Sequence, residues 1–296
     1  MAEFGVDRFA TVEGYRLHYV ELGEGHPLVL VPPSFATYRN WEKVAPAMAE
    51  HFRVLVVDYL GTGRSDKPKR GFLYSPREQA DVIAGLLDVL DIERAHLMGV
   101  SYGGTIVLAF AGRHPERTGR VVSIEGYASL EKGLPGGWGP RKTRLMSAPI
   151  IGDLICLAVR TGLWNETFAR QFAGAWWETQ SAEERREWRE YVAGEVRYVN
   201  RCWAMIRRAV FRMGDAELRS DVRRIRAPVL FLTGGRSGHR EHIKPTLEFL
   251  RRKVPIARIV EIPDGIHDLE WQKPELLAKL ALDFLLEKRG LYKGLK

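Results

Sequence analysis

Cysteine is scarce: Cys156 and Cys202 are the two in 296 residues. Two thiols make no disulfide framework, so a packed core must supply stability, and a reduced, cytoplasmic setting is expected. No Cys/His spacing fits a zinc site. Long apolar runs are absent too. A membrane-spanning helix takes roughly 20 consecutive apolar residues. The stretch 150–159 comes nearest, and Gly152 and Asp153 interrupt it, so no membrane span is expected. The N-terminus lacks a basic segment followed by an apolar one, which argues against a secretory signal. There is no internal repeat and no low-complexity tract.

Charge is plentiful and mixed, with 45 basic and 37 acidic residues and a net +8. Such an excess suits nucleic acid, an anionic membrane surface or an acidic substrate. Its placement argues otherwise. Residues 183–226 hold twelve basic and eight acidic side chains, half of the net excess. Most alternate with glutamates, as in Glu183-Glu184-Arg185-Arg186-Glu187, the pattern of a solvated, ion-paired helix face. No nucleic-acid module accompanies them, and no nucleic-acid partner is expected.

The chain is 45% hydrophobic, enough for one sizeable core. Its first part alternates apolar runs with amphipathic stretches. Arg16 to Glu21, Leu28 to Val31, Val54 to Val57, Ala95 to Val100 and Val121 to Ile124 read as strands. Trp41, Val44, Ala45 and Met48 recur at helical spacing. Ser75 to Leu90 predicts a helix with Ser75 as N-cap, Pro76 at its first position and Glu78 closing a capping box. Tyr102 to Arg113 predicts the next helix. Continuous apolar strands alternating with helices imply a buried, mostly parallel sheet with helices on both faces.

From about Ala128 to Arg219 this rhythm stops. That segment holds six of the eight tryptophans: Trp138, Trp164, Trp176, Trp177, Trp188 and Trp203. Apolar residues from Trp188 to Met213 step by three or four, predicting one long amphipathic helix weakened at Gly194. After Pro228 the α/β rhythm returns, with strands Val229 to Leu232 and Arg258 to Ile262 and helices Ile243 to Leu250 and Pro274 to Leu286.

The strongest chemical signal is Gly99-Val100-Ser101-Tyr102-Gly103. A Gly-x-Ser-x-Gly pentapeptide is short enough to recur by chance, but this one falls where a strand ends and a helix begins. Small residues at Gly99 and Gly103 let the backbone turn sharply and expose the Ser101 hydroxyl. A serine nucleophile needs a base. Of eight histidines, His267 lies in a loop after the last strand, late in the chain, which suits the order nucleophile, acid, histidine.

With these residues the chain resembles the α/β-hydrolase family, over about residues 10–127 and 225–290. Asp58-Tyr-Leu-Gly61-Thr-Gly63-Arg-Ser65-Asp66 is similar to the family's D-x-x-G-x-G-x-S-D loop and reads as structural. The resemblance implies a mostly parallel eight-stranded α/β-hydrolase sheet with an inserted helical cap. The core is then 1–127 and 219–296, and the cap 128–218. It implies no metal and no organic cofactor, with oxyanion-hole donors at the backbone N–H groups of Ser34 and Tyr102.

Two departures stand out. The family's usual His-Gly pair is Pro32-Pro33 here, and proline has no N–H to donate, while Ser34 still does. The family's usual acid follows the seventh strand in a G-x-x-D loop, which here reads Thr233-Gly234-Gly235-Arg236-Ser237, with Ser237 in the acid's place. Glu125, at the end of the sixth strand, stands where many haloalkane dehalogenases and the zearalenone-type lactone hydrolases place theirs. It is the preferred acid, with Asp264 and Asp268 as alternatives. A serine rather than an aspartate at the elbow suits acyl transfer. The expected activity is therefore hydrolysis of a small, apolar carboxylic ester or lactone. Phe35, Trp138, Trp164 and Trp176 are candidate substrate contacts, although cap core is the plainer role for the tryptophans. A lyase or other cofactor-free enzyme on this scaffold, or a slow-turnover ligand-binding protein, is the alternative. Assembly as a homodimer stays open.

Overall fold

The computed structural model describes residues 4–34, 36–68, 70–129, 150, 151, 154, 158, 161, 162, 165–199, 217–254 and 256–287. Eight strands form one sheet: β1 Val6–Val12, β2 Tyr15–Leu22, β3 His26–Val31, β4 Phe52–Asp58, β5 Ala95–Val100, β6 Thr118–Ile124, β7 Val229–Gly234 and β8 Ala257–Ile262. Described helices are α1 Ala45–Ala49, α2 Pro76–Val89, α3 Tyr102–Arg113, α4 Asn165–Ala173, α5 Ala182–Val199, α6 Arg219–Val222, α7 Arg240–Lys253, α8 Leu269–Gln272 and α9 Pro274–Leu285. The strand order is β1-β2-β4-β3-β5-β6-β7-β8. β2 runs antiparallel to both β1 and β4, and every other pairing is parallel.

The apolar strands are continuous because both faces of the sheet are covered. Val29, Val31, Leu55, Val57, Leu97, Val121 and Phe231 point into one core with α2, α3 and α7. Their alternating neighbours Leu28, Leu30, Val54, Val56, Met98, Val122 and Leu230 point into the other, with Trp41, Met48 and α9. Each such side chain contributes about 1.5–3 kcal/mol through burial. The period of two thus splits every central strand between two cores. The edges differ. β1 is a strand the sequence reading passes over, since it buries only Ala10 and Val12 and its apolar signal is weak.

Local signals act as the sequence predicts. Ser75 Oγ accepts from the Glu78 N–H at 3.2 Å while Glu78 reaches back to the Ser75 N–H, closing the capping box on α2. The expected helix from Trp188 onward is seen over Ala182–Val199, and its continuation at 200–216 lies outside the described residues.

Between β6 and β7 the described secondary structure is helical, in α4, α5, α6 and a 3-10 turn, Gly174–Thr179. α4 and α5 share a small core of Ala169, Ala173, Trp177, Trp188 and Val192, closed by Ile266 of the β8–α8 loop. The Trp188 Nε1–H donates to the Ala169 carbonyl at 2.8 Å, and its ring meets Trp271 edge-on with centroids 4.7 Å apart. Trp188 therefore serves as packing between the insertion and the sheet region.

Two glycines separate tight from open backbone. A Cβ on Gly103 would sit 2.2 Å from the Val31 carbonyl oxygen and 2.5 Å from that of Pro32, neither of which can move aside cheaply. Gly194, inside α5, has nothing within 4 Å of that position. Gly103→Ala is expected to destabilise by roughly 1–3 kcal/mol, and Gly194→Ala to stabilise by up to about 1 kcal/mol. Urea denaturation of both variants checks this, and equal midpoints would contradict it.

Candidate active site

The C-terminal ends of β3, β5, β6, β7 and β8 converge on one edge, where ligands bind in open α/β sheets. Ser101 follows β5 directly and opens α3. Its backbone is left-handed, φ 53° and ψ −114°, a conformation costing of order 1–3 kcal/mol for a non-glycine residue. The surroundings enforce it. The Ser101 N–H donates to the Ile124 carbonyl at 2.7 Å, and its own carbonyl accepts from the Thr105 N–H and hydroxyl at 2.9 and 3.0 Å. Only glycine at 99 and 103 lets the strand and helix approach this closely, since a Cβ on Gly99 would lie 2.4 Å from Gly103.

Glu125 follows β6 with φ 52° and is fully buried. A buried carboxylate is tolerable only when donors surround it, and four converge here. Oε1 accepts from the Thr233 hydroxyl at 2.6 Å and the Gly234 N–H at 2.8 Å. Oε2 accepts from the Ser237 hydroxyl at 2.6 Å and lies 3.0 Å from His267 Nδ1. With the carboxylate as acceptor, His267 carries its proton on Nδ1 and presents its Nε2 lone pair on the other side of the ring. Among the described residues no hydrogen bond joins the Ser101 hydroxyl to His267; such bonds commonly tighten only with substrate.

The other carboxylates are placed differently. Asp264 is exposed and paired with Lys273 at 2.7 Å. Asp268 is buried directly after His267, but its Oδ2 has no hydrogen-bond partner among the described residues. Ser34 follows Pro33, whose carbonyl accepts from the Tyr59 hydroxyl at 3.1 Å. Tyr102 is the first residue of α3, where N–H groups have no intrahelical acceptor. Its hydroxyl donates to the Tyr74 carbonyl at 2.6 Å. Phe35, Trp138 and Trp164 lie outside the described residues, and Trp176 belongs to the 3-10 turn Gly174–Thr179.

Several residues escape the sequence reading. Thr233, Gly234 and Ser237, in the loop where the acid is usual, supply three of the four donors to Glu125. The serine in the acid's position was the available signal. His239 packs against His267 with ring centroids 3.8 Å apart and the planes tilted by 48°. A third group is a buried polar cluster. Asn40 Nδ2 donates to Glu270 Oε1 at 3.0 Å and to the Tyr191 hydroxyl of α5, while Asp268 and Glu270 share the β8–α9 segment.

Burial sets the charge states. Desolvation opposes the charge on His267, yet the Glu125 hydrogen bond and the nearby Asp268 charge outweigh it and raise its pKa above the ordinary 6.5. Desolvation and the Asp268 charge push Glu270 up to about 8, and desolvation pushes Asp268 up to about 6. His239 is held well below 6.5 by burial and by His267, so it is neutral.

The α/β-hydrolase-fold family model matches residues 27–144. Over 144 residues the chain is 35% identical to a 2-hydroxy-6-oxo-2,4-heptadienoate hydrolase of Pseudomonas putida, covering 47% of this chain and 51% of that one. Over 123 residues it is 37% identical to a soluble epoxide hydrolase of Corynebacterium sp., covering 42% of each. The chain thus spans about half the length of the curated relatives it matches. An enol-lactonase structure from Burkholderia xenovorans LB400 aligns with TM-score 0.73 and 26% identity, covering 95% of this chain and all of that one. The chain has the α/β-hydrolase fold.

The raised Glu270 pKa makes a stability prediction. Between its ordinary 4.5 and about 8, the unfolded chain releases this proton and the folded chain keeps it. The folded state therefore binds more protons, and stability falls as pH rises through that window. Glu270→Gln keeps an oxygen for Asn40 and removes the titration. Its thermal midpoint, compared with wild type, should improve steadily from pH 5 to 8 and level off above. A pH-independent difference would refute the buried acid.

Proposed function

We propose that the chain is a serine hydrolase that cleaves a small carboxylic ester or lactone through an acyl-enzyme. The observation that carries this reading is the buried Glu125–His267 contact at the same sheet edge as the strained Ser101 elbow. Ser101 attacks the carbonyl carbon. His267 takes the hydroxyl proton on Nε2 and returns it to the leaving alcohol, and water repeats the cycle on the acyl-enzyme. Glu125 fixes the tautomer and stabilises the imidazolium. The N–H groups of Ser34 and Tyr102 meet the oxyanion, where losing one donor can cost about 10²–10³ in rate. The helical insertion acts as the lid that selects substrate. The full-length likeness to an enol-lactonase supports the lactone branch.

A second reading, hydrolysis of a carbon–carbon bond, is favoured by the 35% identity to the heptadienoate hydrolase over 144 residues. Comparing kcat/KM for p-nitrophenyl esters, enol-lactones and 2-hydroxy-6-oxo-2,4-heptadienoate separates the two. Ester or lactone turnover should dominate. Preference for the dienoate would move the assignment to the second reading, and no turnover at all would favour a binding protein.

Ser101→Ala should abolish ester turnover and labelling by a fluorophosphonate probe, and retention of both would sink the mechanism. Glu125→Gln should lose far more rate than Asp264→Asn or Asp268→Asn, and equal losses would point to a different acid.

His267 must be neutral to act as base, and its pKa is raised. The acid limb of the kcat/KM profile should therefore fall above pH 6.5, and Glu125→Gln should shift it downward. A limb at or below 6.5 in wild type would contradict the proposed pairing.

A further inference from the structure

His239 has no part in the acyl-transfer scheme, yet it lies against its base. One donor atom each from Glu125, His239 and His267 lies within 4.8 Å of the other two, and all three residues are buried. His239 Nδ1 is engaged by the Tyr127 hydroxyl at 2.9 Å. Its Nε2 is buried without a hydrogen-bond partner among the described residues. Burying a polar nitrogen without a partner is unfavourable, so this atom calls for a ligand. His239 is neutral, as a metal-binding imidazole must be.

We propose that Glu125, His239 and His267 form an inhibitory binding site for a divalent zinc-like ion. Two imidazoles and a carboxylate are a set that zinc accepts, with a fourth position left for water. Bonds of about 2 Å require the three donors to draw together by roughly an ångström. The Glu125 ligand is Oε2, which faces His267 and accepts from the Ser237 hydroxyl, while Oε1 stays held by Thr233 and Gly234.

Inhibition follows from electron counting. A neutral imidazole has one nitrogen lone pair and one N–H. If zinc binds at Nδ1, the proton moves to Nε2, which can then accept nothing from Ser101. If zinc binds at Nε2, the ion itself occupies the lone pair. Either way no proton is lost or gained overall, and the lone pair that would receive the Ser101 proton is used.

The inhibition arm rests on the proposed acyl-transfer function, while the binding arm does not. The test is calorimetric titration of zinc chloride into full-length, EDTA-stripped and desalted protein, with p-nitrophenyl ester turnover followed in parallel. Wild type should bind one zinc ion at this site and lose turnover, and EDTA should restore it. His239→Gln should weaken that binding at least tenfold, with its thermal midpoint showing that it folds. His239→Cys should restore binding by supplying a thiolate. His242→Gln, outside the cluster, should bind as wild type does. Ser101→Ala should bind zinc normally although it cannot turn over. Absence of zinc binding in wild type, or equal binding by folded His239→Gln, overturns the proposal. Zinc binding without any ester turnover by metal-free wild type would instead count against the acyl-transfer reading and leave the metal site standing.

Discussion

The Glu125 carboxylate is the constraint on which the rest of the site depends. It is fully buried at the end of β6 with a left-handed backbone. An ionised group there survives only if its lone pairs are met. The Thr233 hydroxyl, the Gly234 N–H, the Ser237 hydroxyl and His267 Nδ1 meet them from two different strand ends. The same residue also ties strands together, because its N–H donates to the Leu232 carbonyl at 2.9 Å. Removing the carboxylate would strand three protein donors and release the histidine ring together, a larger disturbance than the loss of one ion pair.

That arrangement explains the altered loop after β7. Where family members commonly carry an aspartate, Ser237 offers a hydroxyl instead. A second carboxylate there would face Glu125 at hydrogen-bond distance, and two buried like charges repel strongly. A hydroxyl at the old acid position is therefore the partner that a displaced acid requires. Its Oγ also accepts from the His239 N–H at 3.1 Å, so one serine links the acid to the start of α7.

Much of this was legible in the sequence. Continuous apolar strands, the Ser75 capping box and the strand–serine–helix elbow all rest on local rules, and each stands at its expected residues. β1 was missed because an edge strand buries too little to leave a clear apolar period. The Asn40–Glu270–Tyr191 cluster was missed for a different reason. Its members come from the turn after β3, from α8 and from α5, separated by up to 230 positions. No periodicity in one stretch of chain encodes such a meeting; it exists only once the sheet order is set.

The same meeting joins the proposed lid to the proposed base. Ile266, Trp271 and Glu270 flank His267 in the chain, and each touches a different neighbour. Ile266 closes the core of the helical insertion, Trp271 packs its ring edge-on to Trp188 and tilted against Tyr191, and Glu270 accepts from Asn40. Movement of α5 therefore cannot leave the β8–α8 segment untouched, because interiors are close-packed and repack in discrete steps. A substrate that shifts the insertion would be felt at the His267 ring, whose other constraint is Glu125. The proposed lid and the proposed base are in this sense one packed unit, with the histidine at its centre.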